Sequence, residues 1–192
     1  MEYEKFREKI VGLQHDLAEF KVEFLDRDGF KRFVDNLFNE VGAWTETCIT
    51  GYFSEIVRQP LEQIVGRRGG SPRNVRLICQ EFDSKKKRDR KNLEVLRKLE
   101  KAKIKIRINH RIHARFLVGY HPPTMPRTRW RGKLVIGSFD FNSECYSKER
   151  HDAGIITGHP DLVQSAVELF DQIWNDTESI VLSEKYPKKV NQ

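Results

Sequence analysis

Cysteine is scarce in this sequence: Cys48, Cys79 and Cys145 form an odd set among 192 residues, with no paired spacing. Neither a disulfide framework nor a zinc site is therefore indicated, and a reducing, cytoplasmic compartment is the expectation. Long apolar runs are missing too. None approaches the ~18–20 residues needed to cross a bilayer, so no membrane partner is expected. The opening stretch Met1-Glu2-Tyr3-Glu4-Lys5 is charged from the start and contains no secretory apolar core. No internal repeat is evident. Aromatics, by contrast, are plentiful: twelve Phe, five Tyr and three Trp are enough for a packed core and argue against a disordered chain.

Charge of one sign is lacking over most of the chain and concentrated in one part of it. From Ser84 to Arg115 there are fourteen Lys or Arg against Asp89, Glu94 and Glu100, a balance of +11, whereas the rest of the chain carries −4. A smaller cluster, Arg127, Arg129, Arg131 and Lys133, surrounds Trp130. Such concentration suits a polyanion, with nucleic acid as the expected partner. Two readings of the clusters stay open. The Lys85–Lys91 run is also what a solvated helix face looks like, and Trp130 either stacks on a base or folds back on the core.

Periodicity divides the chain into alternating elements. Residues 1–19 read as an N-terminal amphipathic helix with Phe6, Ile10, Leu13 and Leu17 on one face, and residues 181–192 as a C-terminal tail. One α/β domain fills residues 20–180. Strands are expected at 20–25, 45–52, 74–79, 104–108, 114–118, 133–136 and 153–157. Helices are expected from Asp28, over 54–65, over 91–102, and from Pro160, where proline suits the first helical turn. Residues 119–132, with Pro122, Pro123 and Pro126, read as a loop. Strands alternating with helices imply an α/β sandwich around a mixed, largely parallel sheet flanked by helices.

Two stretches carry the chemistry. The first is Ile112-His113-Ala114-Arg115-Phe116-Leu117-Val118. The second is Leu134-Val135-Ile136-Gly137-Ser138-Phe139-Asp140-Phe141-Asn142, followed by Arg150-His151-Asp152-Ala153-Gly154-Ile155-Ile156. Each sets polar side chains at the end of an apolar strand, beside a Gly-Ser turn whose backbone N–H groups can hold an anion. Imidazole, guanidinium and hydroxyl together suit a phosphate: a nucleophile or base, a charge clamp and an orienting hydrogen bond. A lone histidine on an apolar strand is also commonly a satisfied core residue. His110 lies three residues before His113, but no third ligand accompanies them, so neither a metal nor a cofactor is expected.

These stretches resemble the phospholipase D superfamily, whose motif is His-x-Lys, then Asp, then Gly-Ser-x-Asn. The likeness runs from about Val22 to Trp174. Gly137 and Ser138 match; Arg115 stands at the Lys position, Tyr120 at the Asp position, and Asp140 at the Asn position with Asn142 close by. Asp152 or Glu149 answers to the carboxylate that holds the histidine.

The resemblance implies a phospholipase D-like fold and a metal-free phosphodiesterase. One histidine attacks phosphorus, a second protonates the leaving oxygen, and water releases the phosphohistidine. The chain has one copy of the motif, so the implied arrangement is a homodimer in which each subunit supplies half a site. On this reading His113, Arg115, Ser138, Asp140, Asn142 and Asp152 serve catalysis. Lys105, Arg107, Arg111, Arg129, Trp130 and Arg131 bind nucleic acid. The rival expectation is a catalytically inactive, nucleic-acid-binding or regulatory module on the same fold.

Overall fold

The computed structural model describes residues 22–36, 44–54, 58, 61–62, 74–83, 85–124, 130–141 and 152–187. Among these residues, eight strands form one sheet in the order β1-β7-β6-β5-β2-β3-β4-β8. The strands are β1 (Glu23–Leu25), β2 (Glu46–Gly51), β3 (Asn74–Cys79), β4 (Lys105–Ile108), β5 (Phe116–His121), β6 (Arg131–Gly137), β7 (Gly154–Thr157) and β8 (Ile180–Val181). Four helices accompany them: α1 (Arg27–Asp35), α2 (Lys87–Lys101), α3 (Pro160–Trp174) and α4 (Leu182–Lys185). The helices expected over 1–19 and 54–65 fall wholly or mostly outside the described residues.

The α/β architecture and the mixed sheet are as expected, but the balance of pairings differs. Only β2–β3 and β3–β4 are parallel. The other five neighbours, from β1–β7 round to β4–β8, are antiparallel. "Largely parallel" is thus corrected to parallel in the centre and antiparallel on both sides. The successive strands β5 and β6, for example, pair directly and antiparallel, whereas a parallel pair such as β3–β4 is joined through α2.

Alternation along the strands divides the apolar residues between two faces. One core gathers Ile49, Leu77, Ile106, Leu117 and Val135 of the sheet under Phe30 and Phe33 of α1, Leu96 and Leu99 of α2, and Leu182 of α4. The opposite core packs Cys48, Ile78, Phe116, Val118 and Leu134 against Val163, Val167 and Phe170 of α3. Asp26 caps α1 by accepting from the Gly29 amide at 2.7 Å. His159 and Pro160 start α3, with the His159 ring accepting from the Asp161 amide.

Two expected boundaries move. The segment read as a tail from residue 181 begins inside the fold: β8 pairs with β4, and Leu182 is 1% exposed. The Tyr186 hydroxyl accepts from the Phe82 amide and donates to its carbonyl, both at 2.9 Å. The segment read as a loop from 119 to 132 is strand at both ends, with Tyr120 paired to Gly132 and His121 to Arg131. Gly119 permits this. A Cβ there would stand 2.5 Å from the Trp44 ring.

Candidate active site

The parallel strands β2, β3 and β4 all point their C-terminal ends to one edge of the sheet, where β5 begins and β6 ends. His113 and Arg115 reach that edge on the segment joining β4 to β5. Two polar side chains hold the segment there, and neither stood out in the sequence. The buried Thr50 hydroxyl donates to the Ala114 carbonyl at 2.9 Å and accepts from the Phe116 amide at 3.1 Å. Asn109, 3% exposed, donates to Ser179 Oγ and accepts from the Arg111 amide, both at 2.9 Å. The only available signal was a polar residue inside an apolar strand or at its end, where a buried hydroxyl or amide must find partners.

On the β6–β7 side the strands approach closely. A Cβ on Gly137 would lie 2.6 Å from the Ala153 carbonyl oxygen, and one on Gly154 2.5 Å from that of Ile136. Only glycine fits either position, and Phe139 lies over the pair, stacked on Phe30 with centroids 4.1 Å apart. This junction sets Ser138 beside Asp152. The serine hydroxyl donates to Asp152 Oδ1 at 2.9 Å and accepts from the Ala153 amide at 3.2 Å.

The two halves of the site are joined through backbone. The Gly137 amide donates to the Arg115 carbonyl at 3.2 Å, and the Ser138 amide to that of Ala153 at 3.0 Å. This corrects the expectation that the Gly-Ser amides cradle an anion: the sheet ladder runs through the turn and uses both. A shallow cleft opens at this edge, lined by His113, Arg115 and Asp140 with Gly51, Tyr52 and Gln80. His113 is exposed. Arg115 donates through Nε to Asp140 Oδ1 at 2.6 Å and through Nη1 to the His113 carbonyl at 3.2 Å.

Tyr52 connects the cleft to the basic helix. Its hydroxyl donates to Asp89 and accepts from Asn92 Nδ2, and Arg88 lies over its ring at 5.0 Å. Burial, reinforced by the Asp89 carboxylate, pushes the Tyr52 phenol up to about 12. The exposed cations Lys85, Lys86, Lys87 and Arg90 therefore stand at the same end of the sheet as His113. The Asp89 anchor also explains why α2 starts at Lys87, a turn earlier than periodicity indicated.

The structure brings His113, Arg115, Ser138, Asp140 and Asp152 to one edge; Asn142, Glu149, His151 and Arg129 lie outside the described residues. Other candidates stand elsewhere. Arg107 faces α3, with its guanidinium 4.9 Å from the Trp174 ring and bonded to the Trp174 carbonyl. Lys105 is exposed at the opposite end of β4. Arg111 and His110 both face Glu178, at 3.5 and 3.7 Å.

Trp130 and Arg131 are at the far end of the β5–β6 hairpin, about 20 Å from Gly137 at ~3.3 Å per residue. Trp130 packs on the α3-side core and on Tyr120, centroids 5.5 Å apart. Of the two readings of that ring, the folded-back one describes it. Tyr120 does not answer to the superfamily's Asp either: it is 4% exposed, far from the cleft, with its hydroxyl accepting from Arg76 at 3.3 Å.

A helix-flanked mixed sheet with a His-x-Arg segment and a Gly-Ser junction meeting at one edge defines a phospholipase D-like fold. Solved structures agree. Nuc from Salmonella typhimurium, a phospholipase D family member, matches with a TM-score of 0.60 at 11% identity, covering 84% of this chain and 96% of its own. NucT from Helicobacter pylori matches with a TM-score of 0.61 at 10% identity, over 84% of this chain and 99% of its own. Polyphosphate kinase from Porphyromonas gingivalis matches with a TM-score of 0.62 at 17% identity, over 82% of this chain but 26% of its own. At these identities the likeness is one of fold. No protein-family model and no curated protein sequence matches.

Proposed function

We propose that this protein is a metal-independent phosphodiesterase acting on nucleic acid, with His113 as nucleophile in a site completed by a second copy. The observation that carries the reading is the exposed His113 ring on the cleft that Arg115 and Asp140 also line, at the sheet edge where Ser138 and Asp152 stand. In this mechanism a ring nitrogen of His113 attacks phosphorus as the bond to the leaving oxygen breaks. The protonated imidazole of the second copy gives that oxygen its proton. Water then attacks the phosphohistidine, returning a proton to the second imidazole and freeing the phosphomonoester. Arg115 supplies fixed positive charge to the equatorial oxygens, where it is worth most.

Nucleic acid is favoured as the substrate by the cations of α2 at the cleft end of the sheet, and binding should weaken steeply with salt. A second copy is favoured by an apolar row beside the site. Phe24, Ile155 and Ile136 are lateral neighbours across β1, β7 and β6. They lie on the α3 face, with Phe24 88% and Ile136 43% exposed. Helical spacing puts Leu162 and Leu169 on the flank of α3 opposite Asp171, which pairs with Arg76 of β3, and so on the side of this row. A cytoplasmic setting belongs to the same reading, since Cys48 and Cys79 are buried thiols without a bridge.

One observation favours a second reading, an inactive binding module: the Arg115 guanidinium is already paired with Asp140. Hydrolysis of an activated phosphodiester, with and without EDTA, separates the two. EDTA-resistant turnover that vanishes in His113→Ala is the result expected of the enzyme; no turnover, with DNA binding intact, identifies the module. Sedimentation of Ile136→Glu tests the pairing of copies: wild type should be a dimer and the variant a monomer. A monomeric wild type contradicts the shared site.

A further inference from the structure

Arg115 reaches the cleft with one edge of its guanidinium engaged. Nε donates to Asp140 Oδ1 at 2.6 Å, and the two side chains are 31% and 13% exposed. The carboxylate is held in place by its neighbours. In Phe139-Asp140-Phe141 both rings are buried, Phe139 stacked on Phe30 and Phe141 on Phe53 with centroids 5.6 Å apart. The Phe141 carbonyl also accepts from the Ser54 amide at 3.0 Å. With the flanking rings anchored in the core, the side chain between them is directed to the cleft.

Carboxylate and phosphate are alike as acceptors: each offers two oxygens to the guanidinium fork. Of the five N–H donors on Arg115, one serves Asp140 and one the His113 carbonyl. A phosphate that sought the Nε–Nη2 edge would meet the carboxylate there first. The cleft also has little net positive charge of its own, since Asp140 offsets Arg115 and Asp152 stands at the same edge.

We propose that Asp140 is a resident counter-anion that competes with incoming phosphate for Arg115. The cleft thereby disfavours isolated inorganic phosphate and favours a phosphodiester within a polyanion, whose other phosphates the α2 cations hold. Discrimination of this kind uses a repulsive element against the unwanted ligand, not only attraction to the right one. The inference rests on the reading of the cleft as a phosphate site and adds the residue that sets its selectivity. Asp140 acts here through Arg115 as a positioning residue.

The test is titration of the full-length protein with inorganic phosphate, by calorimetry, for wild type, Asp140→Asn and the double variant Arg115→Ala/Asp140→Asn. Asparagine keeps the shape and an acceptor for Nε but removes the charge. Asp140→Asn should bind phosphate about tenfold more tightly than wild type, and the double variant should lose the gain. A second readout needs no variant: in wild type the Arg115 Nε–H resonance should shift as phosphate is added, because its partner is being displaced. Phosphate binding by wild type with no gain in Asp140→Asn, or with an unmoved Arg115 resonance, overturns the competition and leaves the phosphate site standing. No binding by either protein overturns both.

Discussion

At one end of the β5–β6 hairpin the Gly137 amide meets the Arg115 carbonyl; at the other, His121 pairs with Arg131. Both ends carry arginine and histidine, and each has a charged cluster in the sequence, the one at Arg131 being the smaller. Their surroundings differ. At the Arg115 end three parallel strands finish together, a cleft opens, and histidine, arginine, serine and two carboxylates converge on one edge. At the Arg131 end the aromatic groups turn inward: Trp130 packs on Tyr120, and Trp44 contacts His121 edge-on at 5.0 Å. Charged residues mark both ends, and convergence of strand ends on a cleft sets the Arg115 end apart.

Charge removal at the two ends should break this comparison most sharply. Arg115→Ala is expected to lower kcat/KM on an activated phosphodiester by ~10²–10³-fold, as loss of a charge-stabilising donor does. Arg131→Ala should stay within about twofold of wild type, in line with a surface change. Equal losses from both would dissolve the distinction.

Glycine substitutions come next. At the cleft end an alanine Cβ at residue 154 meets backbone, the Ile136 oxygen at 2.5 Å, whereas at residue 119 it meets the Trp44 side chain at 2.5 Å. Backbone cannot move aside as a ring can. Gly154→Ala should therefore cost about 3 kcal/mol in denaturant unfolding and Gly119→Ala about 1–2 kcal/mol.

Thr50→Val keeps the shape of the strand but leaves the Ala114 carbonyl and the Phe116 amide without their partner. A loss of about 1–3 kcal/mol is expected. Turnover should fall further than stability alone accounts for, because the segment bearing His113 and Arg115 is released. Full activity in a folded Thr50→Val protein would show that the segment needs no such pin.

The smallest effect is alkaline. Tyr52 at the cleft end has its phenol raised from 10 to about 12 by burial and then by Asp89. Between those values the unfolded chain has lost the proton that the folded chain keeps, so the Tyr52 contribution is constant below pH 10 and is lost as pH rises towards 12. Tyr52→Phe should flatten the pH 10–12 part of an unfolding-versus-pH curve. The Tyr120, Tyr186, Cys48 and Cys79 groups, also raised chiefly by burial, add slope of the same sign.

Most of the fold was legible because it follows from local pattern. Asn74–Cys79 is a strand to the residue, and Pro160 opens a helix, which buries Val163, Ala166, Val167 and Phe170. Strand direction was not legible, because pairing joins residues distant in sequence, such as Thr47 with Gly119. The hairpin ends were hidden by the prolines between them. In the site, His113, Arg115, Ser138 and Asp152 could be picked out by type and spacing. Thr50 and Asn109 could not, since their value lies in what they touch. Lys105 and Arg107 show the converse: alternation put both on one face, but that face packs towards α3, and Trp174 occupies Arg107.

A crystal of the full chain soaked in tungstate tests the central claim most directly. The account predicts anion density in the cleft, in contact with His113 and Arg115, with His113 of a second copy facing it across a twofold axis. Density at Trp130 and Arg131 with an empty cleft, or a lattice in which no second copy approaches His113, would contradict it.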